Sequence, residues 1–126
     1  HSTSRRQRQM CIRDRDLLTR LEELLRDYFT SDKPQSLGLP SVAWCADRLH
    51  LSANYFGDLI KKETGKSAQE YIRLTTIDRA KELLTEGGRS VSEIAYELGF
   101  KYPHHLSRLF KKVVGYTPNE YKTLSA

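Results

Sequence analysis

Residues 90–121 read SVSEIAYELGFKYPHHLSRLFKKVVGYTPNEY. Ser90, followed three residues later by Glu93, has the spacing of a capping box, in which each side chain takes up an orphan backbone N–H at a helix start. Val91, Ile94, Ala95 and Leu98 then recur on one helical face, which predicts a short helix over Val91–Leu98. Gly99 supplies the positive φ of a tight turn. Pro103 falls where the first turn of the next helix should begin, where its missing N–H goes unneeded. Leu106, Leu109, Phe110 and Val113 form the apolar face of that longer helix. Gly115 ends it as a C-terminal glycine does, and Thr117–Pro118 opens a last short helix. Short helix, tight turn, longer helix is the order of a helix-turn-helix.

The same order occurs earlier. Val42, Ala46 and Leu49 match Val91, Ala95 and Leu98 at an offset of 49. Leu59, Lys61, Lys62, Gly65, Glu70 and Tyr71 match Leu109, Lys111, Lys112, Gly115, Glu120 and Tyr121 at an offset of 50. The second copy therefore holds one extra residue in its turn. The first copy predicts a short helix over Val42–Leu49 and a longer one over about Ser52–Thr64, with His50 at the turn site that Gly99 holds in the second. Two copies are too few for a solenoid. Between them Tyr71, Ile72, Ile77, Ala80, Leu83 and Leu84 line a helix over about Ser67–Glu86, ended by Gly87–Gly88. At 1.5 Å per residue, about 20 residues make a strut of ~30 Å.

Upstream, Leu17, Leu18, Leu21, Leu24, Leu25, Tyr28 and Phe29 predict a helix over Asp16–Thr30, with Asp16 as its N-cap. Two prolines and a glycine predict a loop over Ser31–Pro40. The expected organisation is a tail over 1–15 of which 1–13 need not be native, a helix and loop over 16–40, a first helix-turn-helix over 41–66, a linker helix over 67–88 and a second helix-turn-helix with its final short helix over 89–126. The fold class is all-α, two homeodomain-like helix-turn-helix units on a long linker helix. The chain starts at His1 and not at Met, so it is expected to be a fragment, a processed chain or a tagged piece.

The 126 residues suit one compact domain, and the formal charge is +5. Residues 1–15 carry five arginines against Asp14, leaving +1 for the rest. Residues 16–32 sum to −3, while Lys101, Arg108, Lys111, Lys112 and Lys122 against Glu120 give the C-terminal stretch from Gly99 a charge of +4. A basic C-terminal third suits a polyanion; a solvated charged face is the plainer reading. There is no apolar run long enough for a membrane span, the first residues show no basic-then-apolar segment of the kind a secretory leader has, and two cysteines make no disulfide framework, so a cytoplasmic protein is expected.

The recognition helix of a helix-turn-helix lies in the DNA major groove. With its apolar face turned inward, the second unit's longer helix leaves His104, His105, Arg108, Lys111 and Lys112 outward. Arg108 can pair bidentately with guanine O6 and N7, and His105, three residues away, can reach the same groove. In the first unit Phe56, Leu59 and Ile60 face inward, leaving Ala53, Asn54, Gly57, Asp58 and Lys61 outward. Asn54 can read adenine. Asp58 can accept from cytosine N4 or pair with Lys61 or Lys62. Lys61, Lys62, Lys101, Lys111 and Lys112 are the candidates for phosphate contacts. Recognition helices on one DNA face stand ~34 Å apart, close to the length of the strut, so one monomer could read two successive major grooves of double-stranded DNA.

The chain resembles the DNA-binding domain of the AraC/XylS family of bacterial transcription regulators. The second unit shows IA-x-x-x-GF, x-x-L-S-R-x-F-K-K and G-x-T-P-x-x-Y, and Val42–Ile72 resembles the family's first motif, ending in KKETGKS. The likeness covers about Ser41–Leu124. It implies a seven-helix domain and base contacts from the starts of the two recognition helices, at Asn54, Gly57 and Asp58 in one and His104, His105 and Arg108 in the other. Gly57 and Asp58 depart from the family's pattern in carrying no long basic or amide side chain. The likeness also implies RNA polymerase as a partner and a separate N-terminal sensor domain, for which residues 1–40 leave no room.

Enzymatic features are lacking. His104 and His105 are adjacent and cannot both ligate one metal from the same helix face, and no Cys–His spacing resembles a zinc site. Cys45 matches Ile94 and reads as core, Trp44 reads as packing on the N-terminal helix, and no phosphate-binding glycine loop appears. No enzyme activity, cofactor or metal is expected. The alternative to a sequence reader is a helical protein-interaction module, or a non-specific DNA binder with a degenerate first unit.

Overall fold

A computed structural model describes residues 14–125, and the expected tail at 1–13 lies outside the described residues. These residues form eight helices: α1 Asp14–Thr30, α2 Lys33–Leu37, α3 Val42–Arg48, α4 Ala53–Thr64, α5 Ala68–Glu86, α6 Val91–Leu98, α7 Pro103–Val114 and α8 Pro118–Ser125. The two units expected from the repeat are α3–α4 and α6–α7, and α5 is the strut between them. Its 19 residues span ~28 Å.

Hydroxyl side chains cap the starts of α3, α4, α5, α6 and α8. The oxygens of Ser41, Ser52 and Ser67 accept from the backbone N–H groups of Trp44, Tyr55 and Glu70 at 3.0–3.1 Å, each satisfying one of the donors a helix start leaves orphaned. Ser90 and Glu93 form the complete box: the Ser90 N–H donates to Glu93 Oε1 at 2.8 Å and the Glu93 N–H to Ser90 Oγ at 3.1 Å. Thr117 and Glu120 repeat it at 2.8 and 3.2 Å. α4 and α7 both end on a left-handed glycine, Gly65 (φ 77°) and Gly115 (φ 95°), whose N–H bonds back to the carbonyl of Lys61 and Lys111.

α5 packs against α3 and α4 of the first unit and against α6, α7 and α8 of the second. Ile72, Ile77, Ala80, Leu83 and Leu84 are buried along it, so one continuous core runs through both units. The buried Thr76 hydroxyl donates to the Ile72 carbonyl at 2.8 Å, so this polar group is satisfied within its own helix. Leu17, Leu21 and Leu25 of α1 are fully buried in the same core, and α1 packs on α4. Tyr28 meets the ring of Trp44 edge-on at 4.7 Å, so Trp44 does pack on the N-terminal helix.

Four expectations are corrected. The segment Ser31–Pro40 is not all loop, since Lys33–Leu37 is helical with Pro34 in its first turn, where a proline's fixed φ favours a helix. α1 is already helical at Asp14, so Asp16 lies inside it and is not its cap, and the tail does not extend through residue 15; the extent of a helix follows backbone hydrogen bonding, which runs past the apolar stripe. The first unit's short helix stops at Arg48, and Leu49 is its C-cap. Val113, expected on the inner face of α7, is exposed at 38%, while Val114 packs against the core. Leu106, Phe110 and Val114 follow the four-residue row of the helix, which drifts away from position 113 by the last turn.

Candidate nucleic-acid interface

α4 and α7 are two-faced. Phe56 and Ile60 are fully buried on α4 and Leu106 and Phe110 on α7, with Leu59 and Leu109 half-buried beside them. Two fully buried anchors one turn apart leave each helix one rotational setting, so the opposite face is presented outward by packing, whatever its own contacts.

On α7 that face holds His104, His105, Arg108, Lys111 and Lys112, all exposed, and Lys101 is exposed in the preceding turn. Sequence reasoning missed Tyr102, the N-cap residue of α7, which is 47% exposed and makes no side-chain cap bond. Its ring stacks on His104 (5.7 Å between centroids, 17° between planes) and meets His105 edge-on at 5.4 Å. The two imidazoles meet at 4.4 Å, and the Lys101 ammonium stands 5.7 Å from the Tyr102 ring centre. Lys101, Tyr102, His104 and His105 thus form one aromatic and cationic cluster at the leading end of the helix. An aromatic two residues from a histidine pair was the available signal for it.

On α4, Asn54, Asp58, Lys61 and Lys62 are exposed and Gly57 is half-buried. A Cβ built on Gly57 would meet nothing within 4 Å, so the glycine leaves a gap in the outer face that packing does not require. Lys61 donates to the Gly65 carbonyl at 3.2 Å, across the C-terminal turn, and is not held on Asp58. Tyr55, 54% exposed at the start of α4, is a further outward side chain that sequence reasoning passed over. Arg48, in the last turn of α3, lies over the Trp44 ring at 5.3 Å.

The turns of the two units share a backbone conformation. His50 has φ 61°, unusual for a residue with a side chain, and Gly99 has φ 102°. Cys45 is fully buried, and burial pushes its thiol up to about 12. Among the described residues no group of His, Cys, Asp and Glu is placed to hold a metal ion, and no helix is long and apolar enough to cross a membrane.

Residues 45–123 match the helix-turn-helix domain family. The chain is 40% identical over 91 residues to the uncharacterised transcriptional regulatory protein YesN of Bacillus subtilis, an alignment covering 68% of this chain and 25% of that protein. In structure it is similar to a transcriptional regulator with an AraC-type DNA-binding domain from Chromobacterium violaceum (TM-score 0.76, 22% identity, 89% of this chain and 94% of that one). It is also similar to the DNA-binding domain of AdpA, solved in complex with a target DNA (TM-score 0.67, 23% identity, 82% and 90%). The chain spans about a third of the length, or less, of the curated relatives it matches. The family match, the paired units and the outward faces of α4 and α7 agree: the chain belongs to the helix-turn-helix family of AraC/XylS-type transcription regulators, as a DNA-binding domain.

Proposed function

We propose that this domain binds double-stranded DNA sequence-specifically, with α4 and α7 entering successive major grooves. The observation that carries the reading is α7 itself: Leu106 and Phe110 lock one face into the core while His104, His105, Arg108, Lys111 and Lys112 stand exposed on the rest. Arg108, His105 and His104 read base edges in the second unit, and Asn54, Asp58 and the backbone at Gly57 approach them in the first. Lys61, Lys62, Lys101, Lys111 and Lys112 contact phosphates. The AdpA domain, whose structure contains DNA, supports the reading through its shared fold. In the cell the domain works in the cytoplasm, receives its signal from a sensor domain elsewhere in the full regulator and acts on RNA polymerase.

The first experiment is fluorescence anisotropy of a labelled random-sequence duplex at several salt concentrations, followed by selection from a randomised library. Binding that weakens steeply with salt, with a logarithmic slope of about −0.9 per phosphate neutralised, is expected. Absence of binding at low salt by the folded protein would overturn the reading in favour of a protein-interaction module. The missing side chain at Gly57 and the acid at Asp58 favour a second outcome of the selection, in which only the α7 half-site emerges and the first unit holds DNA without reading it.

A further inference from the structure

We propose that residues 31–41, the strap between α1 and α3, determine which spacing of two DNA half-sites the domain accepts, by tying the turn of the second unit to the core of the first. The proposal rests on the DNA reading above and adds to it a determinant of specificity outside both recognition helices.

The strap is anchored to the first unit at Gly38. Tyr28, 2% exposed, donates its hydroxyl to the Gly38 carbonyl at 2.6 Å, and its ring packs on Trp44 of α3. On either side of that anchor, and at Gly38 itself, the strap touches the other unit. α2 packs on α6. The backbone at Gly38 lies directly on Gly99, the turn residue between α6 and α7: a Cβ on Gly99 would stand 2.6 Å from the Gly38 carbonyl carbon, 2.8 Å from its oxygen and 2.9 Å from the Leu39 nitrogen. Leu39 and Pro40 then share a groove with Phe100 and Leu109 of the second unit and Ile72 of α5. Gly38 holds φ 86° and ψ −159°, a conformation essentially confined to glycine.

This contact accounts for a difference between the repeats. Both turns need a positive φ, yet the first is made by His50, whose side chain is exposed, and the second by Gly99. A histidine satisfies the backbone requirement, but only a glycine also admits the strap.

The mechanical consequence follows from having two connections in parallel. A single strut such as α5 sets the distance between the units but resists poorly their rotation about its axis. A second tie, from Tyr28 through Gly38 to the base of α7, blocks that rotation. DNA couples the two quantities, because each added base pair moves the second half-site ~3.4 Å along the axis and turns it ~34° about it. A braced pair of heads tolerates one spacing; a hinged pair tolerates several.

The test uses the full chain with Cys11→Ser and spin labels at Lys61→Cys and Lys111→Cys, Cys45 being buried. The distance distribution between labels is measured without DNA, alone and with Tyr28→Phe or Gly38→Ala added; circular dichroism confirms folding, and Tyr28→Phe removes one hydroxyl while keeping the packed ring. A narrow distribution that broadens in both variants is expected, and equal widths would overturn the tie. Affinity is then measured, on unlabelled chains that keep Lys61 and Lys111, for duplexes whose selected half-sites are moved apart or together by one base pair. The parent is expected to lose about ten-fold or more, the scale of one lost base-pair contact, and Gly38→Ala clearly less. Identical profiles would overturn the role in spacing. If the parent binds no duplex at low salt, the DNA reading falls and the spacing role with it, while the label distances still decide whether the tie exists.

Discussion

At Arg108 and Lys112, one turn apart on α7, two kinds of DNA contact make different demands. A guanidinium offers a flat fork that matches guanine O6 and N7, whereas an ammonium is a compact charge that suits any phosphate. Arg108→Ala is therefore expected to cost ~1–3 kcal/mol on the selected site and to relax preference at one base pair. Lys112→Ala is expected to weaken all sequences evenly and to flatten the salt dependence by about one phosphate. Affinity measured across a panel of single-base-pair variants separates the two, and a uniform loss for Arg108→Ala would reassign it to the backbone. Cys45 makes the opposite kind of prediction. Its thiol is fully buried and pushed up to about 12, and the thiolate is the reactive form. In a Cys11→Ser chain at pH 8, an alkylating reagent should leave the folded protein unmodified and label it readily in urea; rapid labelling of the folded form would contradict that burial. The inward place of Cys45 was legible because the repeat sets it against Ile94, and the exposure of Val113 was not, because Val113 and Val114 are equally apolar and only the exact drift of the stripe chooses between them.

Helix ends are the elements whose local chemistry the sequence writes most openly. Ser90-x-x-Glu93 announces its box three residues ahead, and the structure contains it; Thr117-x-x-Glu120 has the same form and forms the same pair of bonds. α2 was hidden because a five-residue helix has no room for periodicity, and the proline in its first turn also reads as a loop signal. The two boxes have a pH consequence. The Glu93 carboxylate is held below the usual range first by the Ser90 N–H and then by the Ser90 side chain, and Glu120 in the same way by Thr117. A carboxyl group whose pKa is lower folded than unfolded stabilises the fold above its unfolded value, ~4.3, and loses that contribution as pH falls through the folded value. Melting temperature should therefore drop between pH 5 and pH 3, and drop less in the Glu93→Gln/Glu120→Gln chain, whose amides do not titrate. Parallel pH profiles would show that these boxes do not govern the acid limb.

Across the whole molecule, the paired units and their strut could be read from the repeat, but the strap could not: its contacts join Tyr28, Gly38 and Gly99, positions far apart in sequence that carry no common period. What unites the units energetically is the core along α5, where Ile77 is fully buried midway between them. Truncating a buried isoleucine costs ~2–5 kcal/mol through lost burial and the cavity left behind. If the core is continuous, Ile77→Ala should destabilise both units as one. The single tryptophan, Trp44, lies in the first unit against Tyr28 and reports that unit's unfolding by fluorescence. The His104 and His105 proton resonances at the start of α7 report the second. In urea the two probes should give coincident transitions in the parent chain, and Ile77→Ala should move both midpoints down together, as a single cooperative domain requires. A shift seen by the histidines alone, or by Trp44 alone, would mean that the units unfold separately and that α5 joins them without coupling them. Coincident transitions would instead place the cost of separating the reading heads at the stability of the whole domain, so that any change in their spacing on DNA must come from rotation about an intact core.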